Sequence, residues 1–290
     1  MPIDVERALA ATPLTLDSEW GPDQVLLYNL GIAAGLSGMD DPGELGYLLE
    51  RDLKVLPSFA AIPAMKLIGR YNDIDGIDVD PNSVLHGEHN LTVHRPLPAA
   101  AEVTSNMRAI RIVDKGRAAV AVVAIETVDA SDGAPLCTQE LSFFVRGEGG
   151  VGQKEDSTAP STPDRDPDVI AHVRTAPNQA ALYCLSGDKN PLHSDPEIAK
   201  AAGFPGPILH GFCTYGIACK AAVDHLLGGD PALVTGFSVR FSGVVYPGET
   251  IIVRMWDEAE HILLEAQVLE REASVLRAGR MTSTKHSSAR

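Results

Sequence analysis

The chain repeats itself, and the repeat limits what it can fold into. Gln24-Val-Leu-Leu-Tyr28-Asn-Leu30 matches Gln179-Ala-Ala-Leu-Tyr183-Cys-Leu185 at an offset of 155. Val55-Leu-Pro-Ser-Phe59-Ala60 matches Ile208-Leu-His-Gly-Phe212-Cys213 at 153. Leu97-Pro98 ahead of Ala101 to Val103 matches Tyr246-Pro247 ahead of Thr250 to Ile252 at 149. Three anchors in one order, with a slowly drifting offset, mark a duplication with small deletions. Residues 147–168, rich in Gly, Ser, Pro and charge, read as a linker. That leaves a first half, 1–146, and a second half, 169–290. The Gly-rich run at 147–152 has no following helix and no Lys-Ser/Thr, so it is not read as a nucleotide loop.

Within each half the pattern runs from helix to strands. Residues 1–20 read as a lead-in or edge strand, and Gln24 to Ala34 as an apolar helix. A second apolar segment spans Val55 to Ile68, with a start or kink expected at Pro63. Strands are predicted over 88–95, 101–113, 118–128 and 135–145, with hairpin turns inside 111–117 and at Ser131-Asp-Gly133. In the second half strands are predicted over 169–174, 233–245, 250–256, 262–269 and 273–279. Residues 281–290 read as a frayed tail.

The halves differ where chemistry is possible. The second carries Tyr183-x-Leu-Ser-Gly-Asp188-x-Asn190-Pro-Leu-His193 and then Ala199, followed by Pro207-Ile-Leu-His210-Gly211 and an apolar helical run from Phe212 to Val223. Pro191 restricts Asn190 to extended geometry, so Asp188 to His193 is a rigid loop. At the aligned positions the first half has Ala33, Gly38 and Ser58, which cannot move protons as required. One site per chain follows.

These two blocks resemble the signature of the MaoC-like, R-specific enoyl-CoA hydratases, the hydratase 2 family. The resemblance implies an α+β double hot dog, with two long central helices wrapped by a continuous antiparallel sheet. It implies that water adds to a trans-2-enoyl-CoA to give the (3R)-3-hydroxyacyl-CoA, in fatty acid or steroid side-chain degradation. It makes Asp188, Asn190 and His193 the catalytic residues and the Gly211 N–H the oxyanion donor. The residue types suit that chemistry: an acid and an imidazole can share one water, and an enolate-like oxygen needs fixed donors. The other readings kept open are a non-hydratase acyl-thioester binder or thioesterase, and a 3-hydroxyacyl-carrier-protein dehydratase. No cofactor is expected, because CoA is part of the substrate.

Substrate contacts are assigned to Lys115, Gly116, Lys189, Ser194, His210 and Phe212, with His210 pointing either beside the pocket or into the fold. Arg117, Lys220 and Arg240 are further candidates for the CoA phosphates. The first half is expected to select the acyl chain, through small residues at Ala60, Ala61 and Ala64. Asp195-Pro196 reads as a helix cap, and Tyr183 as packing. His86-Gly-Glu-His89 has no helical register for zinc, and no metal is expected.

Net charge is −15, from 39 acids against 24 bases, which argues against nucleic acid as a partner. Cys137, Cys184, Cys213 and Cys219 have no metal-type spacing and read as free thiols. No apolar stretch reaches about 18 residues, so no membrane span is expected. Neither a signal peptide nor a Ser-Lys-Leu ending is seen, and a cytoplasmic homodimer is the expectation.

Overall fold

The computed structural model describes residues 2–36, 38, 40–155 and 162–287. Chain order gives helix α1 (Val5–Ala10), strand β1 (Leu14–Trp20), α2 (Pro22–Gly31), α3 (Pro42–Leu48) and α4 (Ala61–Ile68). Strands β2 (Val84–Val93), β3 (Ala101–Asp114), β4 (Ala118–Asp129), β5 (Pro135–Arg146) and the short β6 (Gln153–Lys154) come next. The second half has β7 (Val169–Arg174), α5 (Gln179–Cys184), α6 (Pro196–Ala201), α7 (Gly211–Leu226), β8 (Val234–Phe241), β9 (Thr250–Asp257), β10 (Ile262–Val268), β11 (Ala273–Ser283) and α8 (Thr284–Ser287).

One antiparallel sheet runs β1-β3-β4-β5-β2-β8-β11-β10-β9-β7. Read from either end it has the same plan: β1 corresponds to β7, β3 to β9, β4 to β10, β5 to β11 and β2 to β8. The halves join where β2 pairs with β8, from Glu88↔Arg240 to Thr92↔Gly236. The architecture is a double hot dog. The repeat survives in fine detail. Gln24 Oε1 accepts the Gly21 N–H at 2.9 Å, and Gln179 Oε1 accepts the Ala176 N–H at 3.1 Å. Gln179 also donates to Leu30 and Gly31 carbonyls at 3.0 and 2.7 Å, which ties α5 to the end of α2.

The central helix of the second half, α7, packs against β7, β8, β9 and β11. Phe212 to Cys219 and Ala221 to Val223 are all buried, so the helix is apolar nearly all round, as an enclosed helix must be. Fully burying Phe212, Ile217 or Val223 contributes about 1.5–3 kcal/mol each. Its first-half counterpart is not a second long helix. A 3-10 turn, Pro57–Ala60, leads into the eight residues of α4. Pro63 lies in the first turn of α4, where a missing N–H costs nothing, so the α-helix starts there.

Two other expectations change. The linker is partly built into the fold: Gln153 and Lys154 pair in parallel with Val113 and Asp114 of β3, and Val151 is buried. Residues 156–161 of that linker lie outside the described residues. The tail is ordered through β11, where Met281 is fully buried against Phe237. In α8, His286 holds Asp257 at 2.8 Å. In keeping with the predicted spans, β3 and β4, of 14 and 12 residues, outrun β9 and β10, of 8 and 7. The surplus lies at the 115–117 hairpin, because β1 and β7 pair with the opposite ends of β3 and β9.

Candidate active site

The catalytic-type loop begins where α5 ends. Gly187 turns with φ +129°, which only glycine adopts readily. The Asp188 carboxylate then accepts the Asn190 N–H at 3.1 Å, and Asn190 Oδ1 accepts the Leu192 N–H at 3.0 Å. This caps a 3-10 turn, Pro191–His193, that presents His193. Asn190 therefore shapes the loop: its side-chain oxygen is spent on the cap, and it meets Asp188 through its main chain.

His193 is 9% exposed. Its Nδ1 lies 2.9 Å from the Ile208 carbonyl. A carbonyl oxygen only accepts, so Nδ1 carries the proton and Nε2 keeps a free lone pair. Burial pushes the imidazole below its ordinary value, while the Ile208 bond and the Asp188 charge pull it upward. The ring is a neutral base in a low-dielectric setting.

His210 precedes α7 as its cap and is 1% exposed. Its Nε2 lies 3.1 Å from the Asp188 carbonyl oxygen and 3.6 Å from Cys184 Sγ. Its ring stacks on His193, with centroids 3.8 Å apart and planes at 29°. Burial first, then the charge of His193, push it down to about 4. Ligand-type atoms of Asp188, His193 and His210 lie within 4.8 Å of one another, the one such cluster among the described residues. Two hydrogen bonds of about 2.8 Å meeting at one water span at most about 5 Å, so atoms held within 4.8 Å of one another are close enough to share a water.

Gly211 opens α7, and its main chain is exposed. The first N–H groups of a helix have no intrahelical acceptor and sit at the positive end of its dipole. A Cβ on Gly211 would lie 3.3 Å from the Phe241 ring.

The other sequence-level candidates separate. Lys189 and Ser194 are exposed on the loop itself. Lys115 and Gly116 lie on the β3–β4 hairpin. Lys115 and Arg240 line a groove of about 1060 Å³, whose near end is formed by Phe241 and Val244. Lys115 Nζ donates to the Glu155 carbonyl at 2.9 Å, and Arg240 Nε to Glu88 at 2.7 Å. Phe212 is not a surface contact: it is buried among His86, His89, Tyr215 and Phe241. His210 likewise faces protein and not ligand. Lys220 is bound by Glu44 at 2.6 Å and Asp224 at 2.8 Å, beneath the Tyr47 ring. Ala60, Ala61 and Ala64 are buried in the core and do not line that groove.

Sequence reading missed three contributors. The Ile208 carbonyl fixes the His193 tautomer, but a main-chain oxygen leaves no trace in residue type. Phe241 packs on Gly211 from the far end of β8. Met65 of α4 faces the loop, its Cβ 4.0 Å from where a Cβ on Gly187 would stand. Met65 is half-buried beside the loop, whereas Ala60, Ala61 and Ala64 are buried.

Two hot-dog halves, with an acid and an imidazole gathered in the second beside a helix N-terminus, define a double hot-dog protein. Residues 19–147 match the MFE-2 hydratase 2 N-terminal domain, and residues 158–276 match the MaoC like domain. The chain is 42% identical to the enoyl-CoA hydratase ChsH3 of Mycobacterium tuberculosis, over 96% of this chain and 98% of that one. It is 38% identical to the peroxisomal enoyl-CoA hydratase 2 of Arabidopsis thaliana, over 87% and 86%. A MaoC-like dehydratase from Phytophthora capsici superposes with a TM-score of 0.84 at 31% identity, covering 97% of this chain and 99% of that one. The chain belongs to the MaoC-like hydratase 2 family of enoyl-CoA hydratases.

Proposed function

We propose that the protein adds water to a trans-2-enoyl-CoA, giving the (3R)-3-hydroxyacyl-CoA, and runs the reverse dehydration. The observation that carries this reading is the gathering of Asp188 and His193, whose ligand-type atoms lie within 4.8 Å of each other, beside the N-terminus of α7, with His193 Nδ1 held by Ile208 so that Nε2 is left to take a proton. The bridging water forms the new C–O bond at the β-carbon and gives a proton to His193 Nε2. The Asp188–His193 pair returns a proton to the α-carbon, so the pair ends as it began. The Gly211 N–H faces the thioester oxygen as charge builds there. Asn190 acts by holding the loop. The acyl chain is proposed to lie toward α4 and Met65, and the CoA head along the groove toward Lys115, with Lys189 and Ser194 at the loop.

Loss of the enoyl-thioester absorbance without release of free thiol is the expected result; thiol release would mean a thioesterase instead. Asp188→Asn and His193→Ala are each expected to lower kcat by about two to four decades, with the double variant little worse, since the two act as a unit. A single variant that keeps near wild-type turnover rejects the assignment.

Among the described residues no helix is long and apolar enough to cross a membrane. The four free thiols suit a reducing compartment, and the cytoplasm is the one proposed.

A further inference from the structure

We propose that His210 is a positioning residue that holds both members of the proton-transfer pair at once, protonated on the opposite ring nitrogen from His193. The proposal rests on reading Asp188 and His193 as that pair. His210 touches each by a different feature. Its ring face lies on His193 at 3.8 Å, and its Nε2 lies 3.1 Å from the Asp188 carbonyl oxygen. That oxygen accepts, so Nε2 carries the proton and Nδ1 is bare. Nδ1 is buried and has no hydrogen-bond partner. Other neighbours are the Tyr183 ring, centroid 4.8 Å away, Cys184 Sγ and the Asp188 carboxylate. The carboxylate charge pulls toward a second proton, but an Nδ1–H would be a buried donor with no acceptor, carrying a charge face to face with His193.

Neutrality at His210 is what His193 needs. When His193 takes a proton from water it becomes a cation in a buried site. The π face of a neutral ring beside it favours that cation, whereas a charged ring would oppose it. The bond to Asp188 acts on the other partner. Gly187 leaves the preceding peptide free to swing, and the His210 N–H fixes the Asp188 carbonyl and with it the direction of the carboxylate.

The repeat supplies an internal control. At the offset of 153, His210 falls on Pro57, and the first half enters its shorter central helix through a 3-10 turn with no imidazole there. The fold does not require the ring; the half with the acid–base pair has it.

The test has two arms. Long-range proton–nitrogen NMR of the ring nitrogens at neutral pH should find His193 protonated on Nδ1 alone and His210 on Nε2 alone. The same tautomer in both, or a doubly protonated His210, overturns the proposal. Two substitutions then part the contacts. His210→Phe keeps the ring face and loses the donor; His210→Gln keeps a donor near the Nε2 position and loses the ring. Each should lower kcat about tenfold or more while KM stays within about threefold, as misplacement of reacting groups does. Near wild-type kcat in both folded variants, or a loss wholly explained by the unfolded fraction, defeats it. A wild-type protein without hydratase activity would sink the functional reading, and the NMR arm would still decide the place of His210.

Discussion

His86, His89, His193 and His210 are all held below the ordinary imidazole value, with burial the first cause in each, and His86 and His210 fall to about 4. In the unfolded chain each takes up a proton near pH 6.5. The folded state refuses those protons until lower pH, so the unfolded state binds more of them in between. Stability is therefore full above about pH 6.5 and falls as pH drops toward about 4. Urea midpoints measured at about pH 7.5 and about pH 5 should show the second clearly lower; equal midpoints would contradict the burial of these rings. The Asp188 to His193 spacing was legible in the sequence because six consecutive residues build the loop. The His193 tautomer was not, because it depends on a carbonyl 15 residues away. Nor was the His193–His210 stack, formed only when the turn before α7 folds back.

Among the elements, α7 is packed closely against the first half. A Cβ on Gly216 would lie 2.6 Å from both Ile32 Cγ2 and Tyr28 Oη. Tyr28 cannot yield easily, because its hydroxyl donates to Ser58 Oγ at 2.8 Å and its ring packs edge-on against Phe59. Gly216→Ala would gain about 1 kcal/mol of helix propensity but cost about 1–3 kcal/mol in overpacking. A net loss is expected, with Tm lower by about 2–4 °C per kcal/mol. A variant that melts at or above the wild type would show that α2 can move aside. Alternation and turn residues revealed the strands, since a strand's faces are written in its side chains. The pairing of β6 with β3 was hidden because it runs through main-chain groups in a Gly-rich stretch. The short first-half helix was half visible: Pro57 and Pro63 announced a break, but not that a 3-10 turn would precede it.

At the scale of the whole molecule, the sheet starts at β1 and ends at β7, so it has two terminal strands. An open strand edge is a template for pairing. We predict a homodimer: light scattering at micromolar concentration should give twice 30.8 kDa, and a species of 30.8 kDa alone would refute it. The duplication was readable from three anchors, while the mirrored strand order became visible only once each copy's pairing was known. The unequal strand lengths have a consequence of their own. Six extra residues make β3 longer than β9 by about 20 Å. That length projects as a hairpin with β6 laid along it as a third strand. A loop carrying Lys115 would have to be immobilised by whatever anion it met, losing about 1–2 kcal/mol per residue ordered. A hairpin held by sheet hydrogen bonds has already lost that freedom during folding, so Lys115 would meet the proposed CoA head group as a cation already in place.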